Sequence, residues 1–476
     1  MSQTALKENE GGFIAKNREF IEETFDRITG TQLHRRASVR LLLNATENYP
    51  EWIDAIKSAK KQILFESYII HDDEWGYKFA DLFLEKVKEG IPVKLIYDWV
   101  GGFGKTKRKF WKRLREGGVE VRCFNPPSLT DPLSIISRDH RKLIAIDSEI
   151  GFVSGLCVGK DWAGDPKKNI PPWRDTGLEI RGAAVADIER AFTTVWNEIG
   201  SPLDEKYLSS YSDYEPAGNT SLRIVDTVPT SSHIFRMDQI LVASVKERVW
   251  LTDAYFMGSP SYLRALRDAA EDGVDVRILV PGATDIPIIR DTTRTIYRNL
   301  LLSGARIFEW NGPMVHAKTA VFDNRFSRVG STNLNVASWF GNHEIDVFVE
   351  DEDFALQMQE AYLHDLDNST EIVLKDDEVK RVDGAKAKHY KTRGGSVRKA
   401  TAGALTTAAS LGNAITNKVE LGPAEAKLFL LSGLVCLVLA ALFFLIPKII
   451  AIPLAIIFLI LAFSAIFQSF TYYRKY

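Results

Sequence analysis

The amino-acid sequence predicts an α/β sandwich with mixed sheets, built twice in one chain and followed by a transmembrane helical hairpin. Three observations carry this. Strand-like and helix-like segments alternate in the same order in two halves. Each half leads to the same pattern, His-x-Lys-x-x-x-x-Asp, at His140 and at His316. Two uncharged runs, residues 428–446 and 449–467, are separated only by Pro447-Lys448. Each approaches the roughly 20 residues that cross a bilayer core.

The elements follow in order. Residues 51–60 read as a helix and ILFESYII (63–70) as a buried strand. YKFADLFLEKVKEG is an amphipathic helix stopped at Gly90, and IPVKLIYD (91–98) is a second strand. In the second half, MDQILVASVKE is a helix and RVWLTDAYF (248–256) a strand. SYLRALRDAAEDG is a helix stopped at Gly273, and VDVRILVPG (274–282) is a strand. VEVRCFN (119–125) matches ARIFEWN (305–311). The polar, turn-rich stretch 203–220 separates the halves. The predicted organisation is a helical extension at 1–39, domains at 40–202 and 221–379, a linker at 203–220, a basic, small-residue linker at 380–426, and the hairpin at 427–468. No basic start followed by an apolar run marks a signal peptide.

Charge divides the chain. From Lys380 onward lie 13 of the 60 basic and 3 of the 62 acidic residues, which leaves residues 1–379 at 47 against 59, a net of −12. An acidic body is a poor match for nucleic acid, whose binding rests on phosphate contacts. A basic tail suits an anionic membrane. Lys380, Arg381, Lys386 and Arg474 flank the hairpin on one side, and the positive-inside rule puts that side and the body at the cytoplasmic face. The expected partners are therefore membrane and anionic phospholipid rather than nucleic acid, with the oligomeric state left open. Cys123, Cys157 and Cys436 are too scattered for a disulfide framework or a zinc site. DWVGGFGKT lacks the Gly-Lys-Ser/Thr ending of a nucleotide loop. No cofactor and no metal are expected.

The paired motifs carry the chemistry. In a strand, His and Lys two apart share a face, so His140/Lys142 and His316/Lys318 each bring an imidazole and an ammonium to one surface. Asp147 and Asp323, at odd spacing, fall on the opposite face and are expected to stabilise structure. Cys157 and Asn333 stand at equal distance after each His. Just before them lie Ser154-Gly155 and Gly330-Ser331, small enough for backbone to approach a phosphate. Asp175 and Glu344 open the following strands. A carboxylate bonded to one imidazole nitrogen leaves the other free for chemistry, and both residues are assigned that role. Glu66/Tyr68 and Asp253/Tyr255 occupy matching positions, where packing and pocket-lining are equally good readings. Trp99, Trp162 and Trp173 are open to the same two readings. The remaining histidines, His34, His71, His233, His343, His364 and His389, match no repeat and read as surface or structural.

Over residues 40–370 this pattern resembles the phospholipase D superfamily. GSTNLN (330–335) and the Asn342-x-Glu344 step are especially similar to it. HRKLIAID and WRDT look like its bacterial cardiolipin synthase branch. The resemblance implies two phospholipase D-like domains meeting at a pseudo-twofold active site. It also implies a phosphohistidine intermediate, with His140 as nucleophile, His316 as acid and base, Lys142 and Lys318 neutralising phosphate oxygens, and no metal. Asn333, Ser331, Ser154 and Cys157 would face the phosphate. Cys157 departs from the family pattern, where an asparagine is usual, and removes an amide donor. The implied reaction is phosphatidyl transfer between phosphatidylglycerol-like lipids. Hydrolysis of phospholipid is the alternative, and nuclease activity is disfavoured by the acidic body.

Overall fold

The computed structural model describes residues 21–128, 137–229, 231–375 and 378–382, with isolated positions 437, 452 and 459. The expected hairpin at 427–468 and nearly all of the 380–426 linker lie outside the described residues. Among the described residues, no helix is long and apolar enough to cross a membrane.

The first half supplies β1 (His34–Leu43), β2 (Ile63–Ser67), β3 (Val93–Asp98), β4 (Glu120–Phe124), β5 (Lys142–Ile146), β6 (Ile150–Ser154) and β7 (Thr176–Arg181). The second supplies β8 (Thr220–Thr227), β9 (Arg248–Thr252), β10 (Asp275–Pro281), β11 (Arg306–Trp310), β12 (Thr319–Phe322), β13 (Phe326–Gly330) and β14 (Glu344–Glu350). β15 (Ser369–Lys375) and β16 (Glu378–Arg381) extend its edge. The spatial order runs β4-β3-β2-β5-β6-β7-β1, then β8-β14-β13-β12-β9-β10-β11-β15-β16. The two seven-strand runs are the same list reflected about the β1–β8 seam, as a duplicated unit requires. Both sheets are mixed: β2–β3–β4 and β9–β10–β11 pair in parallel, and the other pairs are antiparallel.

The parallel strands are buried along their whole length in β2 and β3, which is why apolar residues dominate both. Helices cover them. The Glu74–Lys88 helix starts where the Asp73 side chain accepts from the Trp75 and Gly76 amides. The Pro260–Glu271 helix starts at Ser259 with proline in its first turn. Gly90 and Gly273 follow these helices at φ +85° and +91°, a backbone that suits glycine. One apolar core joins the halves: Leu143, Leu178, Phe192 and Trp196 pack in the same cluster as Leu222, Val329, Val347 and Phe354.

Three boundaries differ from the sequence reading. β1 begins at His34, so the sheet reaches back across position 40, where the first domain was placed. Its irregular burial hides a strand period, because it pairs with β7 on one side and, through a register shift, with β8 on the other. The predicted strands 63–70 and 248–256 end at Ser67 and Thr252, because their last residues leave the sheet to build the site.

Asp147 and Asp323 close the motif strands in matching ways. Asp147 accepts from the amides of Lys60, Lys61 and Gln62 at 2.6, 2.7 and 2.9 Å. Asp323 accepts from Lys246, Glu247 and Arg248 at 3.1, 2.8 and 3.1 Å. Each carboxylate thus fixes the entry to the neighbouring parallel strand. Asp147→Ala or Asp323→Ala is expected to cost roughly 2–3 kcal/mol by orphaning those donors. The shift of the denaturation midpoint measures it.

Candidate active site

The two motifs meet because backbone from one half pairs with backbone from the other. The His140 amide donates to the His343 carbonyl at 2.9 Å, and the His316 amide donates to the Arg174 carbonyl at 2.6 Å. These carbonyls belong to the residues just before Glu344 and Asp175. Each histidine is therefore set beside the carboxylate of the opposite half.

The side chains complete the exchange. His140 Nδ1 lies 2.9 Å from Glu344 Oε2, and His316 Nδ1 lies 2.7 Å from Asp175 Oδ2. Each pair joins residues of different halves, so neither half alone supplies both its motif histidine and that histidine's carboxylate. Both carboxylates are propped. Glu344 accepts from Ser331 Oγ at 2.6 Å and from Asn342 Nδ2 at 3.3 Å. Asp175 accepts from Trp162 Nε1 at 3.2 Å and from the Thr176 amide at 2.9 Å. Gly155 has no room for a side chain, because a Cβ there would stand 2.2 Å from Asp175 Oδ1.

The lysines sit on the motif face. Lys318 Nζ lies 2.9 and 3.1 Å from the two ring nitrogens of His316 and donates to its carbonyl. Lys142 Nζ donates to the His140 carbonyl. Aromatic rings wall the imidazoles: Tyr68 is 4.9 Å from His140, and Trp173, Trp162 and Tyr255 are 5.5, 5.7 and 6.0 Å from His316.

All six polar groups are buried. Burial pushes both imidazoles down to about 4; Glu344 opposes this at His140, and Lys318 reinforces it at His316. Burial works to raise Asp175 and Glu344, yet both end below the usual carboxylate range, because His316 and His140 respectively, with the lysines, favour their charged forms. Burial also lowers Lys142, and it lowers Lys318 to about 8. At neutral pH the site holds two neutral imidazoles, each placed to donate Nδ1–H to a carboxylate, and Lys318 is mostly protonated. The lone pair on each Nε2 is left to act as nucleophile or base.

The other expected residues divide. Asn333 is buried, and its side-chain oxygen makes no hydrogen bond among the described residues. Cys157 is buried beside Lys142 and Ser67, and burial raises its thiol above the usual range. Ser331 and Ser154 have hydroxyls committed elsewhere, to Glu344 and to the Leu156 backbone. Glu66 turns away to Arg141 at 3.1 Å. Asp253 accepts from the amides of Leu334 and Tyr255, each at 2.8 Å, and so holds the Asn333 loop. In each of these matching pairs it is therefore the tyrosine that lines the imidazole. His34 and His343 are held by Asp187 at 2.5 Å and Glu198 at 3.0 Å. The crossed pairing and the Trp162 donor were absent from the sequence reading, although the run Trp173-Arg174-Asp175 sits next to both.

A family model described as cardiolipin synthase, PLD-like domain matches residues 52–160 and 239–366, one match in each half. The major cardiolipin synthase ClsA of Bacillus subtilis is 32% identical over 69% of this chain and 69% of its own length. The cardiolipin synthase of Alkalihalophilus pseudofirmus is 31% identical over 71% of this chain and 67% of its own. Among solved structures, the phosphatidylserine synthase of Haemophilus influenzae shares the fold with a TM-score of 0.57 at 15% identity, covering 75% of this chain and 91% of that one. The repeated mixed sheets, the facing motifs and this similarity agree: the chain belongs to the cardiolipin synthase-like family of the phospholipase D superfamily, a family of enzymes.

Proposed function

We propose that the chain is a membrane-anchored phosphatidyltransferase of cardiolipin synthase type, joining two phosphatidylglycerol-like lipids with release of glycerol. The observation that carries this is the crossed pair of histidine–carboxylate contacts, each with a lysine on the same face. In this reading His140 Nε2 attacks phosphorus, the bond from phosphorus to the glycerol oxygen breaks, and protonated His316 delivers its proton to that oxygen. The incoming phosphodiester, an anion, favours that proton on His316. A hydroxyl of the second lipid then gives its proton to His316 and attacks phosphorus, and the phosphorus–nitrogen bond breaks. Lys142, Lys318 and the Asn333 amide offset charge on the non-bridging oxygens. We read the halves as domains at 40–202 and 221–379, an organisation that the family match in each half and the duplicated strand order support. The uncharged runs in 427–468 support a hairpin anchor, and the flanking basic residues support a cytoplasmic body.

One pH effect follows. Lys318, lowered to about 8 by burial, is charged below that value and neutral above it. The ratio kcat/KM is expected to fall about tenfold per unit as pH rises past about 8. A pH–rate profile flat to pH 10 would contradict the role given to Lys318.

The test of the function is purified full-length protein incubated with phosphatidylglycerol, with products read by lipid mass spectrometry. Diphosphatidylglycerol and glycerol in equal amounts are expected. Phosphatidic acid and glycerol, without the joined lipid, would make the enzyme a hydrolase instead.

A further inference from the structure

The two halves are unequal at one connection. The β6–β7 connection (155–175) is longer than its counterpart β13–β14 (331–343), and the extra length is a small closed hairpin. The Asp165 amide donates to the Ile170 carbonyl at 2.8 Å, and the Ile170 amide returns the bond at 3.0 Å. Pro166–Lys168 forms the turn, Asn169 takes a left-handed backbone, and Pro171 and Pro172 stiffen the return. Residues 166–171 are exposed throughout, with Ile170 at 48%. The base of this hairpin is Trp173, whose ring lies against His316. It therefore rises directly from the site.

A second segment stands beside it. Lys105 pairs with Asp161 at 3.7 Å, and Thr106 donates to the Ile70 carbonyl, two residues after the Tyr68 that walls His140. Phe103 opens this segment and is 51% exposed. Three carboxylates here are matched: Asp161, Asp72 and Asp165 pair with Lys105, Lys107 and Lys168. Arg108, Lys109 and Lys167 are exposed and form no ion pair with a carboxylate among the described residues. An acidic body thus carries, on two segments linked through the Lys105–Asp161 pair, two exposed apolar side chains and three exposed cations with no carboxylate partner among the described residues. That combination seats a protein in the interface of an anionic membrane.

We propose that segments 103–109 and 165–171 dock the body on the anionic face of a lipid bilayer, with Phe103 and Ile170 entering the interface and Lys167, Arg108 and Lys109 meeting the headgroups. The docking brings the first-half rim of the site to the lipid. It extends the phosphatidyltransferase reading, but adsorption is measured without turnover.

The experiment uses the full chain in lipid nanodiscs, either half phosphatidylglycerol or wholly phosphatidylcholine, followed by hydrogen exchange. Exchange in 103–109 and 165–171 is expected to slow about fivefold or more in the anionic discs only. The slowing is expected to vanish in R108E/K167E/I170E and to persist in K57E/K88E, which changes exposed lysines near the far ends of two helices. Turnover of bilayer phosphatidylglycerol is expected to fall about tenfold in the triple variant, with turnover of dispersed short-chain phosphatidylglycerol unchanged. Equal exchange in both discs, or equal loss in the control, would overturn the proposal. Absence of transfer on either substrate, with anionic protection intact, would instead reject the phosphatidyltransferase reading and leave the docking surface standing.

Discussion

Replacing His140 or His316 with alanine is expected to lower phosphatidyl transfer by about four orders of magnitude or more, with the fold retained. A nucleophile and a proton donor each contribute factors of roughly 10²–10⁴ or greater, and effects within one catalytic unit do not add. The double variant is therefore expected to be scarcely worse than either single one. Neither imidazole is a keystone of the core; each sits on a connection beside a sheet, walled by aromatic rings that remain when it is removed. Single-turnover rates on phosphatidylglycerol, with circular dichroism as a check on folding, measure the effect. Residual activity within tenfold of wild type in either variant would remove that histidine from the reaction.

The second large effect crosses the halves. Glu344→Gln is expected to disable His140, a residue 204 positions earlier, and Asp175→Asn to disable His316. An amide oxygen can still accept from Nδ1–H, but an amide NH₂ placed there drives the imidazole to the tautomer whose Nε2 is protonated. In either orientation the negative charge that stabilises a developing imidazolium is gone. Losses of about 10²–10⁴ in kcat are expected, with KM changed little. The distinctive signature is the pairing. Glu344→Gln combined with His140→Ala should cost no more than His140→Ala alone, whereas each single loss should be full-sized. If Glu344 instead coupled to His316, its own half's histidine, the crossed geometry would be wrong.

How much of this was legible beforehand follows from what sequence spacing encodes. The two motifs, their shared strand face and the following carboxylates are local features, and local periodicity displays them. Parallel strands β2, β3, β9 and β10 were equally plain, because burial on both faces makes most of their residues apolar. The partner of each carboxylate was not legible. It depends on a backbone exchange between His140 and His343 and between His316 and Arg174, over separations that no local pattern records. Ser331 illustrates the same limit: beside the motif it reads as a phosphate contact, whereas its hydroxyl props Glu344. β1 was missed for a different reason. It has neighbours on both sides yet alternates poorly, because its pairing shifts register between His34 and Ala37. The hairpin 165–171 was likewise hidden, since a short polar turn looks the same in sequence whether it lies flat or projects.

The central claim is transfer through a covalent phosphohistidine in a site assembled from both halves. It is tested most directly by mixing the full-length enzyme with phosphatidylglycerol labelled in its phosphorus and quenching rapidly in denaturant at mildly alkaline pH, where a phosphorus–nitrogen bond survives. The adduct is then mapped by peptide mass spectrometry. The label is expected on the peptide containing His140, absent in His140→Ala and accumulated when the headgroup hydroxyls of the labelled donor are methylated so that it cannot serve as acceptor. Joined lipid formed at the wild-type rate with no histidine adduct at any time point would contradict the account.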